Sequence, residues 1–136
     1  MHSSMHVPGP SKGALWTGRV LTSIAVLFLV FDAVIHLMMI APVVDSFNQL
    51  GLSIDISVSI GILELMCVVL YCIPRASVLG AILLTGYLGG AMAIQLRIHA
   101  PLFSTMLFPA YVGILIWAGL YLRDAALRSL LPVRKG

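Results

Sequence analysis

Four long apolar stretches, each close to the width of a lipid bilayer, constrain this chain more than any other feature. They fall at residues 20–41, 56–73, 76–96 and 102–122. Crossing a hydrocarbon core takes about 20 residues of helix, within a range of roughly 17–25. Backbone groups in lipid must be satisfied within their own segment, so each stretch is expected to be helical. The dyad alternation of a barrel strand is absent. Composition closes off the soluble alternatives: hydrophobic residues make up 60% of the chain and charged residues 10%, against roughly 45–50% and 25% in soluble domains. A soluble domain of this size buries only about two-thirds of its surface and could not hide so much apolar area. Two cysteines are too few for a disulfide framework. The sequence therefore predicts an all-α integral membrane protein, a transmembrane four-helix bundle with antiparallel neighbours. Its helices are expected at about 20–41, 56–73, 76–97 and 102–122.

Basic residues set the orientation. Lys12, Arg19, Arg75, Arg123, Arg128, Arg134 and Lys135 flank one side of the spans, and only Arg97 flanks the other, with Asp45 and Asp55. Both termini are expected to be cytoplasmic, in a multi-pass, N-in/C-in arrangement. A basic rim beside anionic lipid accounts for the net charge of +3 without any nucleic-acid partner. Residues 1–18, rich in Ser, His, Gly and Pro, read as a disordered cytoplasmic tail. Residues 19–122 read as the transmembrane domain and 123–136 as a basic interfacial tail. The first span is longer than a signal-peptide core of about 7–15 residues and lacks a small-x-small exit, so it is expected to be retained. Pro42 is expected to end the first helix, and Gly51 to mark a turn in the 42–55 loop.

Ionisable groups inside a membrane are costly and mark functional sites. At about 1.5 Å rise per residue, Asp32 lies roughly 18 Å from the cytoplasmic end of its helix, and Glu64 roughly 15 Å above the same surface. Tyr87 and Tyr111 fall at about 16 Å on the third and fourth helices. His36 sits one turn beyond Asp32 on the same face. All four helices thus supply a polar group at one level, and Asp32, His36, Glu64, Tyr87 and Tyr111 form a candidate ligand or proton site. Two nearby carboxylates resist ionising together, so Asp32 and Glu64 are expected to share protons. A buried hydrogen-bonded lock is the structural alternative. Gln95, Arg97 and His99 form a second polar set at the outer mouth, either a substrate-attracting rim or an interfacial cap. Carboxylate and imidazole groups of this kind suit Zn or Fe, but no metal ligand is assigned and a metal is not expected; haem is expected still less, because His99 lies beyond the span and leaves His36 without a second histidine. Gly86, Gly89 and Gly90 form a small-residue face suited to close helix packing, within the chain or in a homo-oligomer. Cys67 and Cys72 are spaced too far apart for a C-x-x-C redox motif.

Several local patterns carry a resemblance. Phe31-Asp32 and Leu63-Glu64-Leu65 precede Ile73-Pro74-Arg75, then Thr85-Gly86-Tyr87-Leu88-Gly89-Gly90, then Trp117-Ala118-Gly119-Leu120-Tyr121. Over residues 19–132 the sequence resembles the DoxX-like family of small four-helix bacterial membrane proteins. The Thr85–Gly90 stretch is its most specific part. The resemblance implies a place in the bacterial cytoplasmic membrane and a link to membrane redox complexes, since DoxX is named as a subunit of a thiosulfate:quinone oxidoreductase. Gln95 stands where the family pattern often has histidine, which weakens a metal or haem role at the outer end.

Three functions follow as expectations. The first is an accessory subunit in quinone-associated redox chemistry, not self-sufficient as an enzyme, with a quinone-like ligand near Asp32 and Glu64. The second is a small-molecule binding or transport module without redox activity. The third is a structural partner for other membrane proteins. The lipid bilayer is the partner common to all three.

Overall fold

The computed structural model of the chain describes residues 9–131. Every regular element among them is helical: α1 (Lys12–Met38), α2 (Ala41–Leu50), α3 (Ile56–Cys72), α4 (Ser77–Arg97), one π-helical turn (Leu102–Met106), α5 (Phe108–Arg123) and α6 (Ala125–Leu130). Three segments are long and apolar enough to cross a membrane: α1, α4 and Leu102–Arg123. The apolar α3 is shorter, at 17 residues. Large apolar side chains such as Leu27, Phe31, Met66, Ile82 and Ile114 lie exposed on the outer faces. In water such a surface would drive association; against lipid tails it is the matching solvent. This is the architecture of a multi-pass membrane protein.

Element boundaries differ from the sequence expectation in three places. The 1–18 tail expected to be disordered is helical from Lys12 onward, because Ser11 caps α1 by accepting from the Ala14 amide at 3.2 Å. Its first eight residues lie outside the described part, as do 132–136 of the C-terminal tail. Pro42 does not end the first helix; α1 stops at Met38, with Met39 in the left-handed region (φ 47). Pro42 instead lies in the first turn of α2, just after Ala41, where its missing N–H costs nothing. The expected 42–55 loop is therefore mostly helix, with Val43, Phe47 and Leu50 buried along one side and Gly51 (φ 67) turning the chain at its end. The fourth span is not one continuous α-helix. Pro109 cannot donate to a preceding carbonyl, so the chain makes a π turn and restarts at Phe108 with proline in the first turn.

The long helices contact one another in a ring: α1 packs on α3 and α5, α3 on α4, and α4 on α5. One half of the molecule is tightly packed. Ala25 and Leu29 of α1, Tyr71 of α3, Ala81 and Leu84 of α4, and Ile116 and Leu120 of α5 are fully or almost fully buried there. Glycines set its spacing. A Cβ at Gly119 would lie 2.5 Å from Thr22 Oγ1, one at Gly18 would lie 2.9 Å from the Gly119 carbonyl, and one at Gly80 would lie 2.3 Å from the Tyr71 amide nitrogen. Tyr71 ties the half together by donating to the Ile116 carbonyl at 2.7 Å. The other half of the molecule is hollow.

Candidate functional site

The hollow half holds a cavity of about 590 Å³. Three helices position its polar end, and a fourth closes its wall. Asp32 and His36 come from α1, Glu64 from α3 and Tyr87 from α4, while α5 contributes apolar wall through Phe108 and Val112. A small-residue contact brings the first three together. A Cβ at Gly61 would lie 2.9 Å from the Ala33 carbonyl and 3.2 Å from His36 Cβ, so only glycine lets α3 approach α1 this closely. Ser57, one turn earlier, donates to the His36 carbonyl at 2.9 Å. Glu64 stands one turn past Gly61 and is thereby delivered to Asp32 and His36.

Geometry inside the cluster is specific. His36 Nδ1 lies 2.8 Å from the Asp32 carbonyl oxygen and 3.5 Å from Asp32 Oδ2. A carbonyl oxygen only accepts, so Nδ1 is the donor in this contact. The imidazole stands edge-on to the Phe47 ring of α2, with centroids 5.9 Å apart. Glu64 is fully buried; its Oε2 accepts from the Tyr87 hydroxyl at 3.2 Å. Glu64 Oε1 has no hydrogen-bond partner among the described residues. One donor atom each from Asp32, His36 and Glu64 lies within 4.8 Å of the other two. Asp32 and His36 keep 29% and 17% side-chain exposure, so the cluster opens on the cavity while Glu64 forms its floor.

The other expected site residues divide. Gln95 lines the cavity. Arg97 does not face it; its guanidinium donates to the Leu50 carbonyl and holds the end of α2 over the hollow half. His99 is exposed, with φ 52, and is not part of the lining. Tyr111 stays outside the cluster: it is 43% exposed and donates to the Phe103 carbonyl at 3.0 Å, fastening the π turn. Gly86, Gly89 and Gly90 do not pack helices within the chain, since a Cβ at each would meet nothing within 4 Å. Gly86 and Gly90 instead form open wall of the cavity, and Gly89 lines a second, apolar hollow between α4 and α5. Sequence reasoning missed Gly61, Ser57 and the α2 roof residues Phe47 and Leu50. Ser57-x-x-x-Gly61, a small-residue pair one turn before an intramembrane carboxylate, was the available signal.

A family model described as the DoxX-like family matches residues 20–119. The chain belongs to the DoxX-like family. Comparison with curated proteins and with solved structures gave no match. The DoxX-like match contains every residue that lines the cavity and ends before α6.

Proposed function

We propose that this DoxX-like protein is an accessory subunit for quinone-linked redox chemistry, holding a quinone-like headgroup in its cavity. The observation that carries the reading is the cavity's polarity: apolar walls from Phe28, Leu29, Leu88 and Val112 converge on one polar end built from Asp32, His36, Glu64 and Tyr87. Its volume falls in the roughly 300–1,000 Å³ range of small-molecule sites, which bury an apolar body and fix it with a few polar groups. Quinone oxygens accept hydrogen bonds and take up protons on reduction, and the cluster offers groups that can donate and hold them. Electrons would come from a partner redox subunit. We place the protein in a bacterial cytoplasmic membrane as a four-helix transmembrane bundle with both termini inside.

Menadione, a quinone headgroup without an isoprenoid tail, titrated into the full chain in lipid nanodiscs tests this reading. Saturable binding is expected. Gly90→Leu should weaken it by placing an isobutyl group inside the cavity, where a Cβ meets no atom within 4 Å, and the variant's melting temperature separates lost space from lost fold. Absence of saturable binding by the unaltered chain would refute the assignment.

A further inference from the structure

We propose that Asp32, His36 and Glu64 are the protein ligands of one divalent transition-metal ion, set at the polar end of the cavity. Four observations converge on it. The three residues offer one imidazole nitrogen and two carboxylate oxygens, and their donor atoms already lie within 4.8 Å of one another. Ligand atoms bound at about 2.0–2.2 Å to a tetrahedral ion sit about 3.4 Å apart, so small side-chain rotations complete the set. His36 is oriented as a ligand would be: its Nδ1 is held by the Asp32 carbonyl at 2.8 Å, so the neutral ring would offer Nε2 to a metal. Metal-bound histidines characteristically donate their other ring nitrogen to a carbonyl or carboxylate in this way. Glu64 is fully buried, and its Oε1 has no hydrogen-bond partner among the described residues, while Oε2 is steadied by the Tyr87 hydroxyl at 3.2 Å. A buried oxygen of this kind is costly unless something binds it.

Charge balance favours the same occupant. Two carboxylates and one divalent cation sum to zero, whereas carboxylates alone in a low-dielectric interior are expensive to ionise. Mixed imidazole and carboxylate donors suit Zn²⁺, Fe²⁺ or Mn²⁺ better than a soft ion such as Cu⁺. Three protein ligands leave at least one coordination position open, and it would face the cavity. The site does not depend on the bound organic molecule being a quinone.

The test uses the full chain without an affinity tag, carrying His2→Ala and His6→Ala so that neither amino-terminal imidazole can bind the added ion. After chelator treatment, Zn²⁺ is titrated by calorimetry and Co²⁺ by its visible ligand-field bands. One equivalent of each should bind, with a Co²⁺ spectrum of low coordination number. Asp32→Asn, His36→Gln and Glu64→Gln should each weaken Zn²⁺ binding by more than about tenfold, and Tyr87→Phe should weaken it less, as expected for loss of outer-shell support. Circular dichroism and melting of each variant separate lost ligands from lost fold. Should a variant fail to fold, the Co²⁺ spectrum of the parent chain and its response to Tyr87→Phe still decide the matter. A parent chain that binds neither ion stoichiometrically overturns the inference, as does a folded Glu64→Gln variant that binds Zn²⁺ as tightly as its parent. Menadione binding without metal binding would leave the functional reading standing and this one fallen; metal binding without menadione binding would do the reverse.

Discussion

At the scale of single residues, the two halves of the molecule use polar groups in opposite ways. Tyr71 spends its hydroxyl on structure: fully buried, it donates to the Ile116 carbonyl, lies 3.4 Å from Thr22 Oγ1 and carries the Arg123 guanidinium over its ring. Glu64, equally buried and beside the cavity, keeps one oxygen without a hydrogen-bond partner among the described residues. Tyr71→Phe should accordingly cost about 1 kcal/mol of stability, the net worth of one buried hydrogen bond, and leave menadione and Zn²⁺ binding unaltered. Chemical denaturation of the variant in detergent measures it, and an undiminished stability would show that the hydroxyl adds nothing to the packed half. That Asp32, Glu64 and Tyr87 lie at one level was legible in the sequence, because rise per residue gives height along a helix. Height does not give direction around the axis. Tyr111 fails for that reason: the π turn and the restart at Phe108 reset the phase of α5, and the phenol points to Phe103 rather than into the cavity. His36 could be paired with Asp32 from spacing, but its Nδ1 bond to the Asp32 carbonyl could not be read from a sequence.

At the scale of elements, glycine decides which helices touch and where space is left. The sequence drew attention to Gly86, Gly89 and Gly90, the densest glycine cluster in a span, yet close helix approach occurs at Gly18, Gly61, Gly80 and Gly119. A glycine motif states only that a backbone can be approached; the neighbour that uses it lies far away in sequence. Gly80 is the sharpest case, because the atoms its Cβ would strike, Tyr71 N at 2.3 Å and Tyr71 Cα at 2.5 Å, are backbone and cannot rotate away. Gly80→Ala should therefore separate α3 from α4 and cost about 1–3 kcal/mol or more, read as a lowered melting temperature. A variant melting with the parent would mean that the α3–α4 turn yields without penalty. The α2 helix escaped the sequence reading for a different reason. At ten residues it is too short to span, and its apolar side shows only as Val43, Phe47 and Leu50 among polar neighbours. Its role emerges from where that side lands, over His36 and the cavity.

At the scale of the whole molecule, the packed half and the hollow half coincide with the charge asymmetry of the chain. Arg123 and Arg128 flank the packed end, where Arg123 Nε donates to Thr22 Oγ1 and Arg128 Nε to the Tyr121 carbonyl. Arg97 and α2 lie at the hollow end. Basic residues favour the cytoplasmic side of a membrane, so the cavity should belong to the outer half of the bilayer, roofed by α2 and fed from lipid or from the outer surface. The apolar content that revealed the spans could not reveal this, because hollow and packed helices have similar composition and differ only in which faces meet. The α3 helix, about 25 Å long at 1.5 Å per residue, is shorter than a hydrocarbon core of about 30 Å. A local thinning of the bilayer beside α3 would accommodate it. Reporter fusions fix the orientation: a fusion at Gly136 should report a cytoplasmic carboxy terminus, and one inserted at Gly51 should report the outer side. A cysteine introduced at Gly90, on the open wall of the cavity, should then react with a membrane-impermeant maleimide added from outside more readily than the native Cys72 at the packed end. Labelling confined to the cytoplasmic side, together with an external Gly136 reporter, would invert the molecule and place the mouth of the cavity inside the cell.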